Sequence, residues 1–311
     1  MASQYFRFLA SGAVEPRRSE LLESLVARAD VVRRCGDWRA DAFRLIAPDA
    51  SFVPAVASAA LFADCGPVEG AWVCMATPVN YVAEMSSVRL SQDGILGLTP
   101  RMAETLAADF NQIWSGSGVK LKAGAEAPRA SVPRTSAQLY CIFDEILNVT
   151  TRDPQDVLGR HIEEYLPSGA DAPRLRKLMS EIEMWIFEQA ANRADRSRIN
   201  AFWLWGGGML LESLPSFPAW FAGDDVYFSA LARGSPGRGK SDSGIIVTST
   251  APGREEWSEI ESRWLKPAAA QLRSRRLLRL DLAAGEVCVT LGARALPRFW
   301  RRRKPWWETF A

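Results

Sequence analysis

One segment of the chain combines residue types that could hold a ligand. Arg198-Ile-Asn-Ala-Phe-Trp-Leu-Trp runs into Gly206, Gly207 and Gly208, so two tryptophans and a leucine alternate before a triple glycine. The alternation predicts a strand, and glycines allow a tight turn and a close approach of the backbone to a ligand. Glycine-rich loops at the carboxyl ends of strands are where α/β folds place ligands. From these residues alone, close packing of the strand is the favoured interpretation, and ligand binding at these three glycines is the further hypothesis.

A second glycine-rich segment fits the pattern of a nucleotide-binding P-loop. Gly234-Ser-Pro-Gly-Arg-Gly-Lys-Ser241 matches G-x-x-x-x-G-K-[ST]. A working P-loop needs a helix that starts at its lysine, because the helix N-terminus holds the phosphates. The β-rich run Ile245–Thr248 follows too soon for such a helix, which favours an exposed surface loop. Anion binding in this loop by Arg233, Arg238 and Lys240 is a further hypothesis.

The residues that hold catalytic metals are scarce in this chain. It has one histidine, His161, and five cysteines, none of which forms a C-x-x-C pair. Zinc sites and two-metal hydrolase sites depend heavily on imidazole, and the acidic residues show no cluster with ligand spacing. We therefore predict no metal site, no cofactor and no catalytic residue. The cysteines are expected to be reduced and mostly buried.

Charge and hydropathy bear on location and partners. A formal net charge of +2 gives the whole molecule no strong attraction to nucleic acid or to membranes. Met1–Pro16 lacks the pattern of a signal peptide, and no run of about 18 apolar residues could span a membrane. We expect a soluble, cytoplasmic protein. The basic and aromatic run Arg298–Trp307 suits nucleic acid or an acidic partner, but packing of its aromatic residues on the core is the favoured interpretation.

The pattern of elements around these segments is that of an α/β protein. Tyr5–Ala10 is typical of a buried strand, and apolar residues then recur at helical spacing from Leu21 to Val32. Thr99-Pro100 supplies an N-cap and a first-turn proline for another helix. Further helices are predicted through 175–186 and 257–265, the latter ended or kinked by Pro267. Further strands are predicted at Trp72–Ala76, at Ser87–Leu90, at Ile95–Leu98 after a turn at Asp93-Gly94, at Val119–Leu121, Leu139–Phe143, Ile199–Trp205, Val226–Leu231 and Ile245–Thr248, and in a hairpin of Leu277–Leu282 with Val287–Leu291.

Several segments, in the same order, resemble those of the RpfE-type regulatory protein family. Besides the tryptophan strand and its glycines they are Ala76-Thr-Pro-Val79, Asp93-Gly-Ile-Leu-Gly-Leu-Thr-Pro100, Val157-Leu-Gly-Arg-His161, Tyr165-Leu-Pro-Ser-Gly169, Ser180-Glu-Ile-Glu-Met184, Leu231-Ala-Arg-Gly234 and Arg298-Phe-Trp-Arg-Arg302. That family is related to the archaeal-type cofactor-independent phosphoglycerate mutases of the alkaline phosphatase superfamily. The resemblance implies an α/β fold: a reduced alkaline-phosphatase-like core of residues 1–65 and 199–311, interrupted by an inserted α+β domain of residues 66–198.

The resemblance also implies where a ligand would bind. The inserted domain of the mutases helps to hold phosphoglycerate through arginine and asparagine side chains. By position, Asn192, Arg196 and Asn200 resemble the run that leads into the tryptophan strand of the mutases. Arg193 could take the place of Arg196, and Arg160 is a further candidate.

The chain departs from the mutases where they perform chemistry. A working mutase needs a serine nucleophile and two metals held by aspartates and histidines, whereas no histidine follows Gly208. We therefore expect a non-catalytic, degenerate relative with a regulatory role, which binds a small anionic, phosphorylated ligand or a protein partner. The alternatives are an active mutase, a scaffold, and a nucleotide- or nucleic-acid-binding protein that uses Gly234–Ser241 or the basic C-terminus.

Overall fold

Helices and strands alternate along most of the chain. The computed structural model describes residues 2–8, 18–34, 36–124, 137–192, 198–234, 242–248, 254–298 and 300–310. The strands in these parts are β1 (Ser3–Phe8), β2 (Val31–Arg34), β3 (Trp72–Ala83), β4 (Val88–Ile95), β5 (Val119–Ala123), β6 (Leu139–Phe143), β7 (Ala201–Met209), β8 (Trp220–Gly223), β9 (Gly244–Thr248), β10 (Arg279–Ala284) and β11 (Val287–Gly292). The α-helices are α1 (Glu20–Ala27), α2 (Trp38–Ile46), α3 (Val56–Cys65), α4 (Pro100–Ile113), α5 (Ala172–Asn192), α6 (Val226–Gly234), α7 (Arg254–Ile260), α8 (Lys266–Arg273) and α9 (Trp307–Phe310). Within the described parts, no helix has the length and apolarity needed to cross a membrane.

The chain divides into two compact units, and the first consists of residues 1–53 and 215–311. Its described strands form a mixed sheet in the order β2-β11-β10-β1-β9-β8. β10, β1, β9 and β8 run parallel to one another, whereas β11 and β2 are antiparallel to their neighbours. Parallel neighbours need crossover connections, and α6 supplies one between β8 and β9, while α7 and α8 lie between β9 and β10. This combination of elements confirms the α/β fold class.

The core of the first unit lies between this sheet and the helices that cover it. It is formed by buried apolar residues of the strands, of α1, α7 and α8, and of the C-terminal segment, among them Phe6, Leu22, Leu25, Ile246, Leu265, Leu272, Leu280, Leu282, Val289 and Phe310. Trp306 stacks on Trp257 with 5.9 Å between the ring centroids. The predicted packing of the aromatic residues of Arg298–Trp307 is therefore confirmed for Trp306 and Trp307, whereas Trp300 is 68% exposed.

The second unit, residues 54–214, is built around the long strand β3. β7 pairs with β3 along one side, β6 and then β4 share the other side, and β5 pairs with β6. All of these pairings are antiparallel. α3 and α5 pack on β7, and α4 packs on β5. α4 begins as predicted, because the Thr99 hydroxyl accepts a hydrogen bond of 3.2 Å from the Met102 N–H.

Several local predictions are wrong. Val32 lies in β2 rather than in a helix, and Ile95–Leu98 is not a strand, because β4 ends at Ile95. Val226–Leu231 is helical, because the Asp225 carboxylate caps α6 and one face of that helix is buried, which outweighs the strand propensity of its residues. Asp93-Gly94 is not a turn but lies within β4, which pairs with β3 through an irregular register. Of the two outcomes predicted for Pro267, an end of the helix does not occur, because the chain continues through Pro267 as α8 after the π-helical turn Glu261–Leu265.

Candidate functional site

The carboxyl ends of the parallel strands in the first unit meet at one edge of the sheet. Phe8 at the end of β1 lies opposite Thr248 of β9 and Ala284 of β10, and Gly223 of β8 lies opposite Val247. In open α/β sheets, ligands bind outside this edge. The candidate site therefore consists of the side chains that the strands and the following helices bring to this edge.

Arg7 is the central residue of this carboxyl edge. It is the penultimate residue of β1 and is only 6% exposed. Its Nη1 donates a hydrogen bond of 3.0 Å to the carbonyl oxygen of Gly285, in the turn after β10. In the described parts of the chain no carboxylate forms an ion pair with Arg7. A buried charge is costly without a counter-charge, so this guanidinium is suited to receive an anion.

Trp38 and Arg39 form the wall of the site beside Arg7. They are the first two residues of α2, whose start is set by Asp37, because the Asp37 carboxylate accepts hydrogen bonds from the N–H groups of Arg39 and Ala40. The guanidinium carbons of Arg7 and Arg39 lie 4.2 and 4.5 Å from the Trp38 ring centroid. Cation–π contacts of this kind hold an aromatic ring and a cation in a defined geometry.

Asp225 neutralises Arg39 and fixes its position. The Asp225 Oδ2 accepts from Arg39 Nε at 2.9 Å and lies 2.8 Å from Arg39 Nη2. Its Oδ1 accepts from the N–H groups of Tyr227 and Phe228 at 3.0 and 3.1 Å, which caps α6. Because both oxygens of Asp225 are engaged, this carboxylate holds Arg39 and the start of α6 in place and does not neutralise Arg7. The other acidic residues that follow β8 and precede α2, Asp224 and Asp37, are exposed.

Tyr227 contributes a buried hydroxyl in the first turn of α6. The residue is 1% exposed, and its hydroxyl has no hydrogen-bond partner in the described parts of the chain. Burial raises the pKa of Tyr227 far above its ordinary value, and the negative charges of Asp37 and Asp225 add to the shift. This hydroxyl therefore stays protonated at physiological pH.

The residue types that bind catalytic metals do not converge in the described parts of the chain. No group of three or more His, Cys, Asp or Glu side chains is placed to hold an ion there. His161 is exposed in the second unit, with its Nδ1 3.8 Å from a carboxylate oxygen of Glu84. Cys74, Cys141 and Cys288 are buried, as predicted, and burial raises the pKa of Cys74.

The predicted glycines lie within strand β7 of the second unit rather than in a loop. A Cβ atom on Gly207 would lie 2.0 Å from Cζ2 of Trp72, and one on Gly208 would lie 2.3 Å from Cβ of Ala55. Gly206 has φ +67°, and its N–H donates to the Thr151 hydroxyl at 3.0 Å. Close packing of the strand, the favoured interpretation, accounts for Gly207 and Gly208.

Of the candidates carried over from the resemblance, Asn200 and Arg160 have described side chains, which bind other groups of the second unit. Asn200 clamps the backbone of Tyr81: its Oδ1 accepts from the Tyr81 N–H at 2.7 Å, and its Nδ2 donates to the Tyr81 carbonyl at 2.8 Å. Arg160 is exposed and donates to the Tyr165 hydroxyl at 2.8 Å. Asn192 ends α5, and its side chain lies outside the described structure, as do the predicted contacts Arg193 and Arg196.

Arg233 lies in the last turn of α6, in the first unit. Since α6 leads from the carboxyl end of β8 toward the amino end of β9, Arg233 lies toward the edge of the sheet opposite Arg7. The other two members of that hypothesis, Arg238 and Lys240, and most of the P-loop-like segment are outside the described residues.

Sequence reasoning missed the residues of the carboxyl edge, although one signal was present. Arg7 interrupts the apolar run Tyr5–Ala10, and an arginine inside a buried strand needs a partner. Arg39 and Asp225, which form an ion pair, are 186 residues apart in the sequence. No local pattern points to such a contact.

Comparison with known proteins gives little further information. No family model matches the chain, and no curated protein matches it. A cofactor-independent phosphoglycerate mutase from Thermoplasma acidophilum DSM 1728 is distantly similar in structure, with 12% sequence identity and a TM-score of 0.37 over 94% of this chain and 90% of that one. A TM-score this low carries no argument about a shared fold or function. Membership in the RpfE-type family therefore stays a prediction.

Proposed function

We propose that the protein binds a small anionic, phosphorylated ligand at the carboxyl edge of the sheet in its first unit, and that it acts as a non-catalytic regulatory protein. The observation that carries this proposal is Arg7. A guanidinium that is only 6% exposed, held by a carbonyl oxygen and an indole ring, lies where parallel sheets bind their ligands.

The chemistry of arginine supports a phosphate or carboxylate group as the part of the ligand that is recognised. The guanidinium presents a planar fork of donors that matches two oxygens of such a group. One Arg7 nitrogen, Nη1, is used by Gly285. In the described parts of the chain the other donors of the fork have no acceptor, so they can bind an anion, and Trp38 limits the orientation of the fork.

The residue inventory supports binding without turnover. Phosphoryl transfer of the mutase kind needs metal ligands around a nucleophile, and the only histidine of the sequence, His161, lies in the other unit. In this proposal the chain is a degenerate relative of the mutases, with the first unit as its core and the second as its inserted domain. By the resemblance alone, Asn192, Arg193 and Arg196 remain candidates for ligand binding.

A thermal-shift screen tests this function. The full chain is melted with inorganic phosphate, phosphoglycerates and nucleotides, each with and without manganese. A ligand at about 100 times its dissociation constant adds about 2.7 kcal/mol to the free energy of unfolding, which corresponds to a rise in Tm of about 5–10 °C. We expect such a rise with at least one phosphorylated compound, and it should not need manganese.

Two outcomes would contradict the proposal. Manganese-dependent interconversion of phosphoglycerates would establish an active mutase. If no anion raises the Tm while a protein partner copurifies with the chain, the scaffold alternative is favoured instead. Phosphate chemistry of the bound ligand can be checked by comparing each phosphorylated compound with its dephosphorylated counterpart at equal concentration.

A further inference from the structure

The amino edge of the same sheet carries two adjacent hollows in the first unit. One, of about 830 Å³, is lined by residues that include Ser3, Ser243 and Arg279, at or beside the amino ends of β1, β9 and β10. The other, of about 540 Å³, is lined by residues that include Arg275 and Arg294. Leu278 lines both hollows. We refer to the two hollows together as the amino-edge trough.

The two arginines that line the smaller hollow are not neutralised by acidic residues in the described parts of the chain. In the described parts of the chain, neither Arg275 nor Arg294 has a carboxylate partner, and both are exposed. Asp30, the acidic residue of that hollow, is already bound, because its Oδ1 lies 2.8 Å from Arg298 Nη1 and its Oδ2 accepts from the Gly292 N–H at 2.7 Å. The hollow therefore presents net positive charge.

In the larger hollow, the arginine is paired with an acidic residue. Both Arg279 and Arg33 bind the buried carboxylate of Asp281, at 2.9 and 3.0 Å. Asp49, an exposed residue, is the acidic group that lines this hollow, so the positive charge of the trough lies mainly at Arg275 and Arg294.

Two exposed apolar side chains accompany this charge. Leu278, shared by the hollows, is 45% exposed, and Trp300 is 68% exposed. Arg298 and Arg301 hold the segment around Trp300 against the end of α1, since Arg301 Nη1 donates to the Ala29 carbonyl at 2.8 Å and Arg298 pairs with Asp30 of the smaller hollow. Trp300 follows Arg298 by two residues in the chain, and Arg298 is bound to Asp30, which lines the smaller hollow.

The backbone at Arg275 adds an independent indication. Arg275 has φ +58°, the single positive value for a non-glycine residue in the described parts. An arginine in this conformation costs free energy that a glycine or asparagine would largely avoid. The strained conformation places a charged side chain on the trough, which suits a binding role for that side chain.

We propose that the amino-edge trough binds single-stranded nucleic acid. Two consecutive concave hollows suit an extended chain, unpaired arginines suit its phosphates, and an exposed tryptophan offers a face on which a base can stack. A double helix would offer no unstacked base to Trp300. The proposal does not depend on the ligand site at Arg7, which lies at the opposite edge of the sheet.

Fluorescence anisotropy with a labelled 20-nucleotide oligouridine tests the proposal on the full chain. We expect binding at 50 mM salt that weakens steeply at 200 mM. Arg275→Ala with Arg294→Ala should weaken binding at least about tenfold and lower the slope of log K against log[salt] by about 1.4, since each phosphate contact contributes about 0.7 on single strands. The matched control is Arg101→Ala with Arg174→Ala, two exposed arginines of the second unit, which remove the same charge and should change neither quantity.

Trp300→Ala separates stacking from charge. Stacking of one base is worth about 1–3 kcal/mol, so this variant should weaken binding at least about fivefold without changing the salt slope. The proposal would be overturned if the control pair lost as much affinity for the oligonucleotide as the test pair. It would also be overturned if Trp300→Ala bound with unchanged affinity, or if polyglutamate bound equally tightly. So would an absence of oligonucleotide binding combined with binding to vesicles containing phosphatidylserine. Because all four arginines and Trp300 are exposed, the variants are expected to fold, and their melting curves check this.

Discussion

Replacement of Arg7 by methionine is the sharpest test of the carboxyl-edge site. In the ligand-free protein the charged hydrogen bond to Gly285 contributes about 1.5–3 kcal/mol, and the desolvated cation–π contact with Trp38 about 2 kcal/mol. Removing the guanidinium from water costs several kcal/mol. These contributions nearly cancel, and methionine fills much of the same space. Arg7→Met should therefore change the free energy of unfolding by no more than about 2 kcal/mol without ligand.

The same variant should lose the stabilisation that the ligand provides. The wild-type chain at about 100 times the dissociation constant should gain about 2.7 kcal/mol, measured by urea unfolding with and without the phosphorylated compound. Arg7→Met should gain almost nothing under the same conditions. Arg7→Lys keeps the charge but loses the planar fork, so it should retain part of the gain.

One result would refute this reasoning about Arg7. If Arg7→Met loses more than about 3 kcal/mol without ligand and still shows the full ligand-dependent gain, the guanidinium only supports the fold and the anion binds elsewhere. Urea unfolding followed by both tryptophan fluorescence and circular dichroism shows whether one transition describes the variant. A single transition is needed before the two free energies are compared.

Three further substitutions test the packing and the charges around these sites. Gly207→Ala should lower the free energy of unfolding by about 3 kcal/mol or more in urea, since its Cβ would overlap the ring of Trp72. Asp225→Ala should lower it by about 4 kcal/mol in the same assay, because it leaves Arg39 without its partner in a largely buried ion pair and removes the cap of α6. Tyr227→Phe should raise it by about 1 kcal/mol at pH 7, because the lost hydroxyl is buried and unbonded within the described structure. The pKa of Tyr227 is raised in the folded state, so above the unfolded pKa of about 10 the unfolded chain loses this proton more readily than the folded chain. The free energy of unfolding of the wild-type protein therefore falls as the pH rises above about 10. Tyr227→Phe lacks this proton and should lose less stability in alkali.

Each of these substitutions has a matched control. Gly36→Ala should be neutral, because a Cβ there would meet nothing within 4 Å. Asp93→Ala should have a small effect, since its ion pair with Arg198 is exposed to solvent. Tyr165→Phe removes a hydroxyl that accepts from Arg160 near the surface and should not stabilise the protein. If a control substitution changes the free energy of unfolding as much as its test substitution does, then burial and contacts do not determine that change.

Much of the fold could be predicted because the signals are local. The Thr99 cap, the strand at Tyr5, and the hairpin of β10 and β11 each follow from residues within one or two turns of chain. Val226–Leu231 could not be predicted in this way. Its residues favour a strand, but Asp225 caps a helix there, and burial of one helical face decides the outcome.

The candidate site could be predicted only in part. Glycines in a strand are compatible with a ligand or with a bulky neighbour, and the choice at Gly207 and Gly208 depends on Trp72 and Ala55, which other elements supply. Arg7 was visible as a charge in an apolar run. Its neighbours Trp38 and Gly285 come from distant parts of the chain, so the site exists only after the sheet has formed.

The charge of Arg7 also bears on how an anion would be held at this edge. At an effective dielectric constant of about 20, a guanidinium attracts a unit negative charge 4 Å away by about 4 kcal/mol, and it repels a divalent cation at the same distance by about 8 kcal/mol. A metal that bridges protein and phosphate would thus be disfavoured beside the buried end of β1, whereas the phosphate itself would be attracted. Arg7 supplies from a side chain the positive charge that a metal site would supply from an ion. Manganese should therefore weaken the binding of a phosphorylated ligand or leave it unchanged. A manganese-dependent increase in affinity would require that the anion is bound away from Arg7.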